Sequence, residues 1–277
     1  MYRYLLKFGW FTIYSYGAML ALAFLVGTIL VLLRSRRYKI EPNIVFDLTF
    51  VIIISSLLGA RLLFVVLDWS YYVQNPLQIF MLWQGGLVFY GGLFSAIVAS
   101  NIFIKQKKLA FGNVADLFAP SLSLGVAIGR IGCFLNGCCW GKISYRFGIC
   151  FPAKDNPGAF VQHLSEGLIS SQAQWSLPVL PTQLYESVAC LVIFFILILL
   201  EKHKSFDGFL FWLFVCLYSF VRFFIEGLRY YEPNFLIGNF TISQLISVVF
   251  FVVSIFVLYK RTSNSRFISG TNRYCSG

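Results

Sequence analysis

The sequence predicts an all-α, polytopic membrane protein of about seven transmembrane helices, and three observations predict it. Of 277 residues, 58% are hydrophobic and 12% are charged, with mean hydropathy +0.77, more apolar surface than one water-soluble core of this size can hide. The apolar residues fall into continuous runs of about 20, enough for a helix rising about 1.5 Å per residue to cross a bilayer core. The runs do not alternate, which argues against a transmembrane β-barrel, and a backbone crossing lipid must then satisfy its own hydrogen bonds as a helix does.

In chain order the spans are expected at residues 12–33, 44–67, 86–104, 114–136, 183–200, 208–228 and 239–258. The first lacks a short basic leader and a small-residue cleavage site, so it is expected to be retained. Between the second and third, Pro76–Trp83 is too short to cross and reads as an interfacial or re-entrant helix. Residues 142–181, with scattered Pro, Gly, Ser and Gln, read as a small periplasmic cap insert, and residues 263–277 as a polar, mobile cytoplasmic tail. The whole chain, 1–277, reads as a single membrane-embedded domain, with no internal repeat of the inverted-transporter kind.

The formal charge of +11 is read as topology and as attraction to anionic membrane lipid, not to nucleic acid. With the N-terminus outside, the inner loops hold thirteen basic residues: Arg34, Arg36, Arg37 and Lys39, then Lys105, Lys107 and Lys108, then Lys202 and Lys204, then Lys260, Arg261, Arg266 and Arg273. The outer side holds six, Arg3, Lys7, Lys142, Arg146, Lys154 and Arg229, a bias that favours N-out, C-in. The other three, Arg61, Arg130 and Arg222, fall within or at the ends of spans. A charge at the bilayer centre costs about 2.5 kcal/mol or more, so each must face a partner, a cavity or a ligand.

The densest signal is Gly129–Gly141, GRIGCFLNGCCWG, at the outer end of the fourth span. Its four glycines permit either close helix packing or close backbone approach to a ligand. Arg130 beside them suits a phosphate, which a guanidinium grips with a two-pronged fork. On the sixth span Tyr218, Arg222, Glu226 and Arg229 recur at helical spacing and share one face. Glu226 can neutralise either arginine, so the stripe reads either as a structural ladder or as an anion site of net charge +1. Pro181–Glu186, PTQLYE, opens the fifth span. A helix start explains Pro181 and Thr182 but not the carboxylate of Glu186, which shares a face with Gln183. Trp83–Gly92, WQGGLVFYGG, sets Tyr90 among glycines near the outer surface, where an aromatic belt is the plain account; Tyr16 and Gly17 lie on the same side. Asp47 and Asp116, toward the inner ends, suit helix caps.

The seven cysteines make no even disulfide framework. Cys190 and Cys216 read as packing residues, Cys275 lies in the tail, and Cys133, Cys138, Cys139 and Cys150 cluster along the chain. Cys133, Cys138 and Cys139 could form a disulfide relay or a thiolate metal site, but C-x4-C-C without a second CxxC or a nearby His is a weak metal signature, so neither metal nor other cofactor is expected. Polar groups gathered toward the outer leaflet around an apolar interior look like an enzyme acting on phospholipid, and a soluble-substrate pump would place its site at broken helices near the midplane.

The ordered set YSYG, GARLLFVVLDW, WQGGLVFYGGL, GRIGCFLNGCCWG, PTQLYES, RFFIEGLRY and TISQLIS resembles the prolipoprotein diacylglyceryl transferase family over most of the chain. The resemblance implies a multi-pass enzyme of the bacterial inner (cytoplasmic) membrane that moves the diacylglyceryl group of phosphatidylglycerol onto the lipobox cysteine of a prolipoprotein signal peptide. A thioether forms and glycerol phosphate leaves. Residue by residue the resemblance carries over to Arg130, Asn136, Gly141, Tyr16, Tyr218, Arg222 and Glu226. Taken with the residues read above, Arg130, Arg222, Glu226 and Tyr90 are expected to be catalytic, and Tyr16, Arg61, Asn136, Gly141, Gln183, Glu186, Tyr218 and Arg229 substrate-binding.

Two departures stand out. Tyr90 occupies the place of a histidine often assigned to thiol activation, and Cys133 and Cys138 replace a usual Asn and Glu. Tyrosine, pKa about 10 against about 6.5 for histidine, is the poorer base. The reading preferred is that arginine potential helps to deprotonate the acceptor thiol while Tyr90 holds or relays; the alternative is another acceptor, or a thiol-redox role for the three cysteines. His163, the only outer histidine, is expected to be incidental.

Overall fold

The computed structural model describes residues 4–8, 11–81, 85–231, 236–238 and 240–274; Arg3, Trp83 and Cys275 lie outside them. Two compact units emerge, one of Met1–Ile29 with Phe118–Gly277 and one of Leu30–Leu117.

In the Leu30–Leu117 unit, the end of α1 (Ser15–Ser35) leads through a 3-10 turn at Arg36–Tyr38 into α2 (Pro42–Leu67), started by Pro42, whose fixed φ suits a first helical turn. A short α3 (Trp69–Gln74) and a 3-10 turn at Pro76–Phe80 stand where a single interfacial helix was expected. α4 (Phe89–Gln106) then packs along α2 at backbone-to-backbone distance. A Cβ on Gly59 would lie 1.9 Å from Ser95 Oγ and one on Gly91 2.4 Å from the Gly59 carbonyl oxygen, so only glycine fits, the small-residue packing that membrane helices use. At the other end of the unit, Arg34 Nη1 donates to the Leu117 carbonyl at 2.6 Å and Asn113 Nδ2 to that of Tyr38 at 3.0 Å.

The capping role expected for Asp47 and Asp116 is corrected. α2 and α5 (Phe111–Asn136) begin earlier than the spans read from hydropathy, so both residues sit more than a turn inside, Asp47 exposed and Asp116 fully buried.

The other unit opens with an antiparallel hairpin, β1 (Tyr4–Phe8) and β2 (Phe11–Tyr14), which delays the first span to Ser15. Residues 142–181 fold around α6 (Gly158–Ser165) and isolated bridges such as Ile149 to Val179 and Pro152 to Trp175. Phe151, Ala159 and Val179 form a small buried core beneath Trp140. α7 (Thr182–Leu200) and α8 (Phe209–Leu228) pack through Ile193, Leu197, Leu210 and Phe214. A two-residue hairpin, β3 (Leu236–Ile237) and β4 (Phe240–Thr241), leads into α9 (Ile242–Tyr274). A reciprocal capping box starts α9: Gln244 N–H donates to Thr241 Oγ1 at 3.2 Å and Thr241 N–H to Gln244 Oε1 at 3.0 Å. α9 continues into the polar stretch expected as a tail, as far as Tyr274.

The chain is thus an all-α polytopic membrane protein. Among the described residues six helical stretches, Ser15–Tyr38, Pro42–Leu67, Phe111–Asn136, Thr182–His203, Phe209–Leu228 and Ile242–Ser263, are long and apolar enough to cross a membrane. The remaining expected span, the third at residues 86–104, overlaps α4, whose 18 residues are diluted by glycines, serines, Asn101 and Lys105.

Candidate active site

Three helices of the larger unit aim charge at one another. Arg130 lies near the end of α5, Glu186 one turn into α7, and Tyr218, Arg222 and Glu226 recur every four residues on one face of α8. Arg130 Nη2 meets Glu186 Oε1 at 3.0 Å, and Arg222 Nη1 meets Glu186 Oε2 at 2.9 Å. Arg222 Nη2 reaches on to Glu226 Oε2 at 2.7 Å, which Arg229 Nη1 also approaches at 3.3 Å. The result is an alternating chain, Arg130, Glu186, Arg222, Glu226, Arg229, with net charge +1.

Neutral donors complete the carboxylates. Tyr218 OH donates to Glu186 Oε1 at 2.9 Å, and Tyr231 OH and Thr241 Oγ1 both donate to Glu226 Oε1. The carboxylate side chains are 2% and 0% exposed while the arginines keep 14–18%, so positive charge is the face the chain presents. Such a buried array is held by mutual satisfaction, because removing one partner strands a desolvated charge. Two polar atoms beside it, Gln183 Oε1 and Arg229 Nε, are buried without a hydrogen-bond partner.

The cysteine block follows from how α5 ends. Gly137 takes φ +71°; its N–H donates to the Phe134 carbonyl and that of Cys138 to the Cys133 carbonyl, each at 3.1 Å, a Schellman closure that brings residues 133 and 138 together. Cys139 then adopts φ +62°. α7 pins the next two carbonyls: Gln183 Nε2 donates to Cys138 O at 2.6 Å and Thr182 Oγ1 to Cys139 O at 2.9 Å. The three sulfurs end within 4.8 Å of one another. The Cys138 thiol donates to the Cys133 carbonyl at 3.6 Å, and the neighbouring Cys133 and Cys138 thiols, then Arg229 and Arg130 further off, hold the Cys139 thiol below the usual range.

Arg130, Gln183, Glu186, Tyr218, Arg222, Glu226 and Arg229 therefore come together in one unit. Tyr16 joins them, since a Cβ on Gly132 would lie 3.4 Å from its ring, and Asn136 lines a hollow with Pro152 and Lys154. Gly141 has a packing duty: a Cβ there would sit 2.8 Å from Leu180, Leu228 and Thr182 atoms.

Arg61 and Tyr90 belong to the other unit. Arg61, 5% exposed, donates to the carbonyls of Gln78, Ile79, Gly85 and Gly86 and lies over the rings of Phe64 and Tyr72. Its donors are spent on backbone, so it ties the segment after α3 in place instead of offering a fork to phosphate. Tyr90 is 63% exposed, edge-on to Phe89. His163 is no loose loop residue: buried in the cap, its Nδ1 accepts the Leu177 N–H at 3.2 Å, and burial lowers its pKa.

Sequence reasoning missed Tyr231 and Thr241 at Glu226. The capping-box pattern TISQ signals Thr241 as a helix start but not its second bond; Tyr231 carries no local signal.

A family model described as prolipoprotein diacylglyceryl transferase matches residues 3–260. Among similar proteins, the phosphatidylglycerol–prolipoprotein diacylglyceryl transferase of Listeria welshimeri is 33% identical over 259 residues, 92% of this chain and 88% of its own. The protein of the same name from Clostridium novyi is 34% identical over 246 residues, 88% and 90% of the two chains. That from Bacillus cereus is 33% identical over 263 residues, 94% and 92%.

Proposed function

The chain belongs to the prolipoprotein diacylglyceryl transferase family, and from that premise we propose how its residues carry diacylglyceryl from phosphatidylglycerol to a prolipoprotein, the first step of lipoprotein maturation. It is a transferase embedded by several passes, and the relatives' names give phosphatidylglycerol and prolipoprotein as its substrates. The acceptor is the lipobox cysteine of the signal peptide, presented with the lipid at the outer face of the bacterial inner membrane, with the N-terminus out and the whole chain acting as one transferase domain. A thiol-redox role in place of transfer is not favoured by the family match.

The acceptor thiol gives up its proton to solvent, its sulfur attacks the diacylglyceryl carbon bonded to the phosphate oxygen, a C–S bond forms and that carbon's C–O bond breaks. The bonding pair leaves on the oxygen of glycerol phosphate. Charge on that oxygen grows in the transition state, where preorganised guanidinium donors stabilise it most. The observation that supports this reading is that Arg130 and Arg222 converge on one buried carboxylate, Glu186, so two positive groups are fixed side by side before any anion arrives. Glu226 and Tyr218 hold Arg222 and Glu186 in place, and Arg229, Gln183, Asn136 and Tyr16 line the surroundings. Arginine potential also favours the thiolate over the thiol, whose ordinary pKa is about 8.5. Tyr90 holds or relays; Arg61 and Gly141 position backbone.

The test is mass spectrometry of a lipobox peptide incubated with the purified protein and phosphatidylglycerol vesicles. A lipid-dependent gain of one diacylglyceryl group is expected, and unchanged peptide overturns the reading. Arg130→Ala and Arg222→Ala are expected to abolish transfer with membrane insertion intact. Tyr90→Phe is expected to slow it by less than either; full rate would remove the hydroxyl from the mechanism.

A further inference from the structure

We propose that Cys133, Cys138 and Cys139 form a trithiolate site for a thiophilic cation of the Zn2+ class, a binding site distinct from the arginine chain that serves transfer. Three sulfurs within 4.8 Å of one another stand close to a ligand triangle. With Zn–S bonds of about 2.3 Å, sulfurs on one ion lie about 3.8–4.0 Å apart, so the present triangle contracts by no more than about 1 Å on loading.

The triangle is built into the backbone. The Schellman closure of α5 sets Cys138 over Cys133 through the 3.1 Å bond between their main chains, the pair of positions whose side chains touch in that motif. Cys139 is held at φ +62°, a left-handed conformation that a residue with a side chain adopts at a cost, and such strain persists only where the surroundings enforce it. The enforcing groups are Gln183 and Thr182, which anchor the carbonyls of Cys138 and Cys139. The Cys138 thiol donates to the Cys133 carbonyl at 3.6 Å, which keeps its sulfur folded back over the end of α5. All three cysteines are partly exposed, which gives an ion a way in.

The charge also closes. Ligation requires thiolates: three S–H bonds release three protons to solvent, three S–metal bonds form, and nothing is oxidised or reduced. Three thiolates and a divalent ion sum to −1, and Arg130 and Arg229, whose fields reach Cys139, offset that charge. Soft sulfur ligands select thiophilic d10 ions over Mg2+ or Ca2+. The sequence spacing alone, C-x4-C-C, gives a weak metal signature; what it hides is that a helix terminator folds the pair back onto the first thiol.

The test uses the full chain in detergent, reduced, chelator-stripped and handled without oxygen, titrated with Co2+ and then Zn2+. One Co2+ per chain is expected, with a near-ultraviolet thiolate-to-metal charge-transfer band that one equivalent of Zn2+ abolishes. Cys133→Ser, Cys138→Ser and Cys139→Ser are each expected to weaken binding at least tenfold, and Cys190→Ser, a buried thiol outside the triangle, to leave it unchanged. A wild-type protein with all thiols counted as free that shows no such band overturns the proposal without recourse to any variant. So does a band that survives in the triple serine variant, or a Cys133–Cys138 disulfide that takes up no Co2+ once reduced. The transfer assay on the same preparation reports separately on the lipid reaction.

Discussion

Glu186 is the residue on which the arrangement turns, because one buried carboxylate holds both Arg130 and Arg222 and accepts from Tyr218. Glu186→Gln keeps the shape but leaves two guanidinium groups facing each other with one counter-charge fewer. Breaking a buried ion pair from one side costs about 3 kcal/mol or more, so thermal unfolding in detergent is expected to shift markedly downward and transfer to be lost. An unchanged midpoint would show that the carboxylate is not shared as the distances indicate. The contrast with Arg61 is instructive at the same scale. Both Arg61 and Arg130 are arginines in or near spans and both were expected to serve the substrate, yet Arg61 spends its donors on four carbonyls while Arg130 is one end of a chain of alternating charge. The glycines beside Arg130 mark it locally, but what each guanidinium does is decided by what a segment many residues away brings to it.

Among the elements, α2 and α4 approach backbone to backbone, and two glycines permit it. Because a Cβ on Gly91 would lie 2.4 Å from the Gly59 carbonyl oxygen, Gly91→Ala must push the helices apart. Overpacking of this kind costs about 1–3 kcal/mol, and a lower thermal midpoint in detergent is the expected reading, with no change in helix content by circular dichroism. Retained stability would mean that the two backbones are not in contact. The helices themselves were legible from hydropathy because lipid leaves a spanning backbone no other way to satisfy itself. The boundaries were less so. A hairpin at residues 4–14 is polar and apolar by turns and merges with the first apolar run, and the early starts of α2 and α5 move Asp47 and Asp116 from capping positions to interior ones. The proline that starts α2 and the capping box that starts α9 are local signals, yet hydropathy alone placed those starts at residues 44 and 239 instead of 42 and 242.

At the scale of the whole molecule, the cap of residues 142–181 is a small folded layer whose stability is tied to proton concentration through His163. Its Nδ1 must stay unprotonated to accept the Leu177 N–H, and burial lowers its pKa below the ordinary 6.5. The unfolded cap therefore takes up a proton at a higher pH than the folded one. The contribution of neutral His163 is complete above about pH 6.5, falls as pH drops below that value and is gone below the folded-state pKa. Limited proteolysis of the cap is expected to accelerate as pH falls through this window in the wild type and to lose that dependence in His163→Asn; a pH-independent rate in the wild type would remove the histidine from the cap's stability. What the sequence by itself determined is the membrane-embedded helical class, the faces of α8 and the residue types that a phosphate ester would need, because hydropathy, helical periodicity and charge cost are local properties of the chain. Only the tertiary structure decided which charges meet. The sharing of Glu186, the convergence of three thiols around a helix terminator and the diversion of Arg61 to backbone all depend on contacts between residues far apart in the chain, and the distances that settle them are set by packing, which no local pattern encodes.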